Sequence, residues 1–190
     1  MTGDVWRGED GRVRCGWVPQ GSPDAIDYHD TVWGTPTHDV RAMFEALALG
    51  VFEVGMSWAV VFNKRAAFRR AFDDFEPGRV ATFTALDVQR LLGDPSIIRN
   101  RAKIEATVNN AQAILRMSPG LAEVSWSFRP ARHKTPKTLA EIATSSAEAV
   151  ALAAALKKNG LRFVGPTSIQ SYLQSVGIVN DHLRGCFRAL

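Results

Sequence analysis

The segment LRFVGPTSIQSYLQSVGIVNDH, residues 161–182, contains the turn that decides the fold class. Its apolar start leads into a tight Gly-Pro turn at Gly165, and Thr167 is placed to cap a helix that we expect over residues 168–176. With the helix expected before it, this segment predicts a helix, a hairpin turn and a second helix. The backbone N–H groups at the start of the second helix would point outward, which suits a phosphate oxygen. An ordinary turn between two helices is the alternative.

Helical periodicity covers most of the remaining chain. Apolar residues at helical spacing, together with capping residues, predict helices from Asp39, over residues 57–72, from Thr84, over residues 101–117 and from Ser145. No segment alternates convincingly between apolar and polar residues, as a half-buried strand does. The sequence therefore predicts an all-α protein.

Length and composition indicate one compact unit. The chain has 190 residues, of which 46% are hydrophobic, and this is enough for one good core. We expect a single domain over residues 15–190, preceded by a loose polar leader over residues 1–14. No apolar run approaches the length of a membrane span and the N-terminus lacks the apolar core of a signal peptide, so we expect a cytoplasmic protein. The net charge of +4 permits an anionic partner such as nucleic acid without establishing one.

Each of the two cysteines has a histidine near it in the sequence. Cys15 precedes His29 near the N-terminus, and His182 and Cys186 stand four residues apart near the C-terminus. On a helix, side chains at that spacing project from the same face. The four residues together make a Cys₂His₂ set, which holds zinc tetrahedrally in closed structural sites. The residues alone leave a second interpretation open, in which two free thiols and two unrelated histidines bind no metal.

Six motifs in order connect these features to a known family. They are RCGW, YHDTVWG, GMSW, SIIRNRAKI, FVGPTSIQSYLQSVGIVNDH and HLRGC, and they span most of the chain from Arg14 to Cys186. The chain resembles the 3-methyladenine DNA glycosylase I family, a zinc-containing branch of the helix-hairpin-helix DNA glycosylases. The resemblance implies one structural zinc that joins the N- and C-terminal segments. Its ligands would be Cys15, His29, His182 and Cys186.

The resemblance also implies an activity, the hydrolysis of the N-glycosidic bond of alkylated adenine in duplex DNA. An enzyme reaches such a base by flipping it out of the stack into a pocket. Trp17, Tyr28 and Trp58 match the aromatic residues of the family's base pocket, where stacking and cation–π attraction bind a cationic base. Core packing is the alternative role for these three residues.

Several residues are expected to contact DNA in an enzyme of this family, which we expect to act as a monomer. The basic candidates for phosphate contacts are Arg99, Arg101 and Lys103. The hairpin would contribute Gly165 and Thr167. Met56 stands where the family has an apolar residue that fills the space left by the flipped base, and methionine fills gaps well.

The stretch LGVFEVGMSW, residues 49–58, departs from the family pattern. Gly50 stands where the family has a glutamate that hydrogen-bonds the amino group of adenine, so we expect weakened activity on 3-methyladenine. Glu53, three residues later, matches a family glutamine and is a candidate catalytic residue together with Tyr28 and Trp58. Three hypotheses follow: an enzyme with a larger pocket and bulkier adducts, a conventional 3-methyladenine glycosylase, and a zinc-stapled protein that binds DNA or senses lesions without cleaving the glycosidic bond.

Overall fold

The structure, a computed structural model, describes residues 3–189 of the chain. The α-helices of this part are α1 (Pro23–Asp27), α2 (Val40–Glu53), α3 (Trp58–Phe62), α4 (Arg65–Ala71), α5 (Pro77–Val80), α6 (Ala85–Gly93), α7 (Arg101–Arg116), α8 (Leu121–Trp126), α9 (Ala147–Lys158) and α10 (Pro166–Ser175). A π-helical turn covers Tyr28–Val32, and 3₁₀ turns cover Asp73–Phe75 and Leu139–Glu141. Among the described residues, no helix is both long and apolar enough to cross a membrane.

The longer helices enclose one main hydrophobic core. Helix α10 packs against α2 and α9, and α7 packs against α2 and α5. The helices meet through completely buried side chains, among them Phe44, Phe52, Ile104, Leu152 and Leu173. Burial of a side chain of this size contributes roughly 1.5–3 kcal/mol, so this core is the main source of stability. The all-α prediction is confirmed.

Capping residues start several helices where the sequence predicts them. Asp39 accepts a hydrogen bond from the backbone of Ala42 at the start of α2, and Thr84 with Asp87 forms a capping box at the start of α6. The single helix predicted over residues 57–72 is wrong. The chain leaves helical geometry at Lys64, where ψ is 2°, and the segment forms α3 and α4 instead.

The N-terminal segment differs from the loose leader expected over residues 1–14. Strands β1 (Val5–Arg7) and β2 (Val13–Cys15) form an antiparallel hairpin in which Val5 pairs with Cys15. The Trp6 indole donates a hydrogen bond to the carbonyl oxygen of Val18, which ties the hairpin to the following loop. Strands of three residues are too short to show an alternating pattern, and this explains the lack of a strand signal in this part of the sequence.

The predicted helix, hairpin and helix are present as α9, the connection over residues 159–165, and α10. The prediction that Thr167 caps the second helix is wrong. Gly165 is the N-cap, with φ −75° and ψ 162°, and α10 begins at Pro166, so Thr167 lies exposed in the first turn. Proline is favoured at the first position of a helix because its missing N–H would have no partner there.

Lys103, predicted to contact phosphate, is instead buried at the end of α2. Its side-chain ammonium donates hydrogen bonds to the carbonyl oxygens of Phe52, at 2.9 Å, and Val54. Burial lowers the pKa of this amine, and only 6% of the residue is exposed. Because carbonyl groups at the C-terminal end of a helix lack partners within the helix, Lys103 supplies the donors that fix this end of α2.

Candidate active site

Two cysteines and two histidines meet at a buried point between the two ends of the chain. They are Cys15, His29, His182 and Cys186, and their potential ligand atoms all lie within 4.8 Å of one another. His182 Nδ1 lies 3.2 Å from His29 Nε2 and 3.7 Å from each sulfur. A tetrahedral ion with bonds of about 2.0 Å to nitrogen and about 2.3 Å to sulfur separates its ligand atoms by roughly 3.3–3.8 Å. The cluster therefore fits a metal ion.

Hydrogen bonds fix the protonation of both imidazoles. His29 Nδ1 lies 2.8 Å from the Asp30 carboxylate, and His182 Nε2 lies 3.0 Å from the carbonyl oxygen of Trp33. Both partners are acceptors, so these nitrogens carry the protons. The opposite nitrogens, His29 Nε2 and His182 Nδ1, keep their lone pairs and face the cluster, as metal ligands do.

Asp30 is itself held in place by Arg14. The guanidinium of Arg14, which is only 3% exposed, donates to the carboxylates of Asp30 and Asp10, with nitrogen–oxygen distances of 2.6–3.1 Å. The hydrogen bonds to Arg14 and His29 lower the pKa of Asp30 against the opposing effect of burial. Asp30 is therefore an anion that orients His29, and sequence reasoning assigned no role to this residue or to Arg14.

The local backbone that presents His182 and Cys186 differs from the helix considered in the sequence analysis. Helix α10 ends at Ser175, and His182 and Cys186 lie on an irregular segment with a turn at Gly185, where φ is +92°. Gly34 permits the close approach of this segment to the N-terminal half. Its φ is +71°, and a Cβ atom there would lie 2.9 Å from His182 Nε2.

The two thiols of the cluster affect each other's acidity. A hydrogen bond with the Cys15 thiol lowers the pKa of the Cys186 thiol far below its ordinary value, against the opposing effect of burial. The proximity of Cys186, followed by burial, raises the pKa of Cys15. Cys186 is therefore the more readily ionised of the two thiols, and the thiolate is the form of cysteine that binds metals.

A cavity of about 370 Å³ opens beside the cluster. Its aromatic wall consists of Trp17, Tyr28, Trp33, Trp58 and Phe62. Trp58 stacks on Phe62 with ring centroids 4.5 Å apart, and Trp17 meets Trp58 edge to face at 5.2 Å. The cavity falls within the size range of small-molecule sites and offers faces on which a planar ring can stack.

The cavity and the metal-type cluster share a wall. The Trp17 ring lies 5.4 Å from the His29 ring, and Tyr28 directly precedes His29 in the chain. The indole N–H of Trp17 is buried and has no hydrogen-bond partner among residues 3–189. Buried donors are nearly always paired in native proteins, so this unpaired group is an exception within the shared wall.

Polar side chains occupy a few positions in this aromatic cavity. Glu53 lines it, and burial raises the pKa of its carboxyl group. Arg65 lines it too, with its Nε donating to Glu45 at 2.8 Å and its guanidinium 5.0 Å from the centre of the Tyr28 ring. The Tyr28 hydroxyl donates to Ser175 on α10. Sequence reasoning missed Arg65 and Glu45, because their approach to the cavity depends on how α2 packs against α4.

A second cavity of about 320 Å³ adjoins the first. Both are lined by Tyr28, Ala46, Leu49, Arg65 and Ser175. Val32 lines only this second cavity.

The remaining candidate residues lie outside both cavities. Met56 is 43% exposed in the loop between α2 and α3, and Gly165 and Thr167 stand at the start of α10. Arg99 is exposed, and Arg101 is exposed with its guanidinium 3.3 Å from Glu105. The first cavity thus brings together the predicted base-pocket residues, which are Trp17, Tyr28, Gly50, Glu53 and Trp58. The predicted DNA contacts Arg99, Arg101, Gly165 and Thr167 lie on the surface, and Met56 lies in a surface loop.

Comparison of the sequence with known proteins finds relatives that match nearly the whole chain. The sequence matches the methyladenine glycosylase family over residues 17–189. It is 43% identical to DNA-3-methyladenine glycosylase 1 of Escherichia coli strain K12 over 178 residues, which is 91% of this chain and 95% of that protein. It is 40% identical to DNA-3-methyladenine glycosylase of Haemophilus influenzae strain Rd over 180 residues, covering 92% of this chain and 96% of that protein.

Solved structures agree with the sequence comparison. A crystal structure of 3-methyladenine DNA glycosylase I superposes with a TM-score of 0.85 at 43% identity, covering 92% of this chain and 98% of that one. The enzyme from Staphylococcus aureus, solved to explain its recognition of 3-methyladenine, superposes with a TM-score of 0.83 at 35% identity, covering 90% of this chain and 93% of that one. The chain therefore belongs to the methyladenine glycosylase family.

Proposed function

We propose that this protein is a DNA glycosylase that removes 3-alkylated adenine from double-stranded DNA. One observation carries the proposal: a member of the methyladenine glycosylase family retains a cavity walled by Trp17, Tyr28 and Trp58 and containing a carboxyl group. A planar, cationic base is the ligand that such a cavity suits, since aromatic faces attract cations and stack on bases. The relatives in Escherichia coli and Staphylococcus aureus bear names that state this substrate.

The chemistry demands little from the protein beyond binding the flipped base. In 3-alkylated deoxyadenosine the base is a cation, so the bond between C1′ and N9 is weak. When it breaks, the electron pair passes to N9 and neutralises the base, while water adds a hydroxyl group to C1′ and releases a proton. Tyr28 and Trp58 stabilise the flipped cation by stacking and cation–π attraction, and this holds the nucleotide in the extrahelical state where hydrolysis proceeds.

The DNA interface is formed by the α9–α10 hairpin and the loop after α2. Gly165 has open space where a Cβ atom would lie, so its backbone is accessible to a phosphate group. Gly165 is the N-cap of α10, and the free N–H groups in the first turn of a helix attract anions. Met56 is positioned in an exposed loop to fill the gap left by the flipped nucleotide. Arg99 and Arg101 contribute positive charge.

The metal of the buried cluster is zinc in this proposal. Two sulfurs and two imidazole nitrogens at tetrahedral spacing are a donor set that zinc favours, and four protein ligands leave no position for a substrate. Bound zinc would stabilise the folded state and supply no chemistry to the reaction. His29 and His182 would hold it through the nitrogens whose lone pairs face the cluster.

The activity is tested by base release. Wild-type protein is expected to release 3-methyladenine from methylated DNA, and Trp58→Ala to lower the rate by roughly 5- to 150-fold, because base–aromatic stacking contributes about 1–3 kcal/mol. Chromatography of the released bases measures both rates. Trp58→Phe keeps an aromatic face and is expected to retain most of the activity. Wild-type protein that binds lesion DNA but releases no base would favour a binding or sensing protein.

Zinc is tested by metal analysis and unfolding. Purified protein is expected to hold one zinc per chain, and removal by a chelator to lower the free energy of unfolding by about 3 kcal/mol or more, because metal binding is coupled to folding. Cys186→Ser should lose the metal, whereas His38→Ala, a histidine outside the cluster, should retain it. Metal content well below one per chain with unchanged stability would refute the zinc assignment.

The hairpin is tested by DNA binding. Gly165→Leu is expected to weaken binding to duplex DNA containing an abasic-site analogue by about tenfold or more, since a side chain would keep phosphate away from the backbone donors. Gly120→Leu is the matched control, because Gly120 also caps a helix in extended geometry with open space around its Cβ position. Equal affinities of the two variants, measured by fluorescence anisotropy, would exclude the hairpin as the DNA anchor.

A further inference from the structure

Glu53 is the one acidic side chain among the residues that line the aromatic cavity. The other charged lining residue, Arg65, is occupied by its hydrogen bond to Glu45 and its contact with the Tyr28 ring. The Glu53 carboxyl group makes no hydrogen bond to any part of the chain from residue 3 to residue 189. It is therefore a strong hydrogen-bond acceptor in the cavity that none of the described residues uses.

Glu53 stands one helical turn after Gly50 on the same face of α2. Gly50 presents only backbone to the cavity, and a Cβ atom there would find its nearest neighbour, the carbonyl oxygen of Ser168, 3.8 Å away. No side chain at position 50 therefore blocks the path from Glu53 along this wall. The Glu53 carboxyl group, one turn further along α2, therefore has access to the part of the cavity that a side chain at position 50 would fill.

The backbone that carries Glu53 is fixed on both sides. Lys103 donates to the carbonyl oxygens of Phe52 and Val54, the residues immediately before and after Glu53. The side chain thus projects from a helix end that is anchored to α7 and not from a free loop. Burial raises the pKa of Glu53, so its carboxyl group has lost part of its hydration and gains more from a ligand donor than an exposed acid does.

We infer that the carboxylate of Glu53 accepts a hydrogen bond from the exocyclic amino group of the flipped base and thereby selects adenine adducts over guanine adducts. Adenine carries an amino donor where guanine carries the O6 acceptor. An ionised carboxylate only accepts hydrogen bonds, so it attracts the first group and repels the second. The negative charge also favours a base made cationic by alkylation. This inference rests on the proposed function. It assigns substrate selection to Glu53, since position 50 is a glycine in this chain.

The substitution Glu53→Gln separates this role from a structural one. It conserves size and removes the charge, and because Glu53 makes no hydrogen bond to residues 3–189, the melting temperature is expected to stay unchanged. We expect 3-methyladenine release from methylated DNA to fall at least about tenfold, since a charge-assisted hydrogen bond is lost. Release of 7-methylguanine from the same DNA should stay constant or rise, because the amide can donate to O6. The ratio of released 3-methyladenine to released 7-methylguanine is the readout, because a general loss of stability would lower both rates and leave this ratio unchanged.

The control variant is Glu123→Gln, which removes one negative charge from an exposed position on α8 outside both cavities. It is expected to leave the product ratio unchanged. Affinity for free 3-methyladenine, measured by tryptophan fluorescence, should fall in Glu53→Gln and not in Glu123→Gln, while affinity for abasic-site DNA stays constant in both.

Two outcomes would overturn the inference in distinguishable ways. If wild-type protein releases 3-methyladenine and Glu53→Gln keeps the product ratio and free-base affinity of wild type, Glu53 does not select the base and the proposed function stands. If wild-type protein neither releases nor binds either base, the proposed function fails and this inference fails with it.

Discussion

The meeting of Cys15 and His29 with His182 and Cys186 is the contact on which the site depends. The N-terminal segment that supplies Trp17 and Tyr28 to the cavity is separate from the main core, and its own apolar cluster consists of few buried residues around Cys15, Leu183 and Cys186. A small cluster of this kind buries too little apolar surface to hold a segment firmly. The Cys₂His₂ cluster is therefore the contact that joins this wall of the cavity to the helical core, and a bound metal would fix it there.

The opposite wall rests on the helical core and needs no metal. Helix α2 presents Gly50 and Glu53, its end is held by Lys103 from α7, and α10 contributes Ser171 and Ser175 to the same cavity. The cavity thus lies between a helical scaffold and an N-terminal segment that meets it at the Cys₂His₂ cluster. Trp58 and Phe62 complete the aromatic wall from α3, on the helical side of the cavity.

Local signals in the sequence predicted the helices and the Cys₂His₂ set. Features that depend on tertiary packing could not be predicted from the sequence. Asp39 and Thr84 cap helices because their short side chains bond the adjacent backbone, and such contacts are visible in sequence. Lys103 looked like a surface cation in SIIRNRAKI, and only the packing of α7 against α2 shows that it points inward. The two cysteines and two histidines do converge, although His182 and Cys186 approach through a turn at Gly185 and not on a helix. The hairpin of residues 5–15 has strands too short for any periodic signal.

Amide hydrogen exchange, measured with and without metal, tests most directly whether the Cys₂His₂ cluster holds the N-terminal wall of the cavity against the helical core. Chelation is expected to raise exchange by about a hundredfold or more in residues 13–34 and 180–188, since local opening there no longer costs the metal-binding free energy. Amides of α7, in the middle of the main core, should keep their protection. Unchanged exchange in the N-terminal segment, or an equal loss of protection throughout the chain, would contradict this role of the cluster.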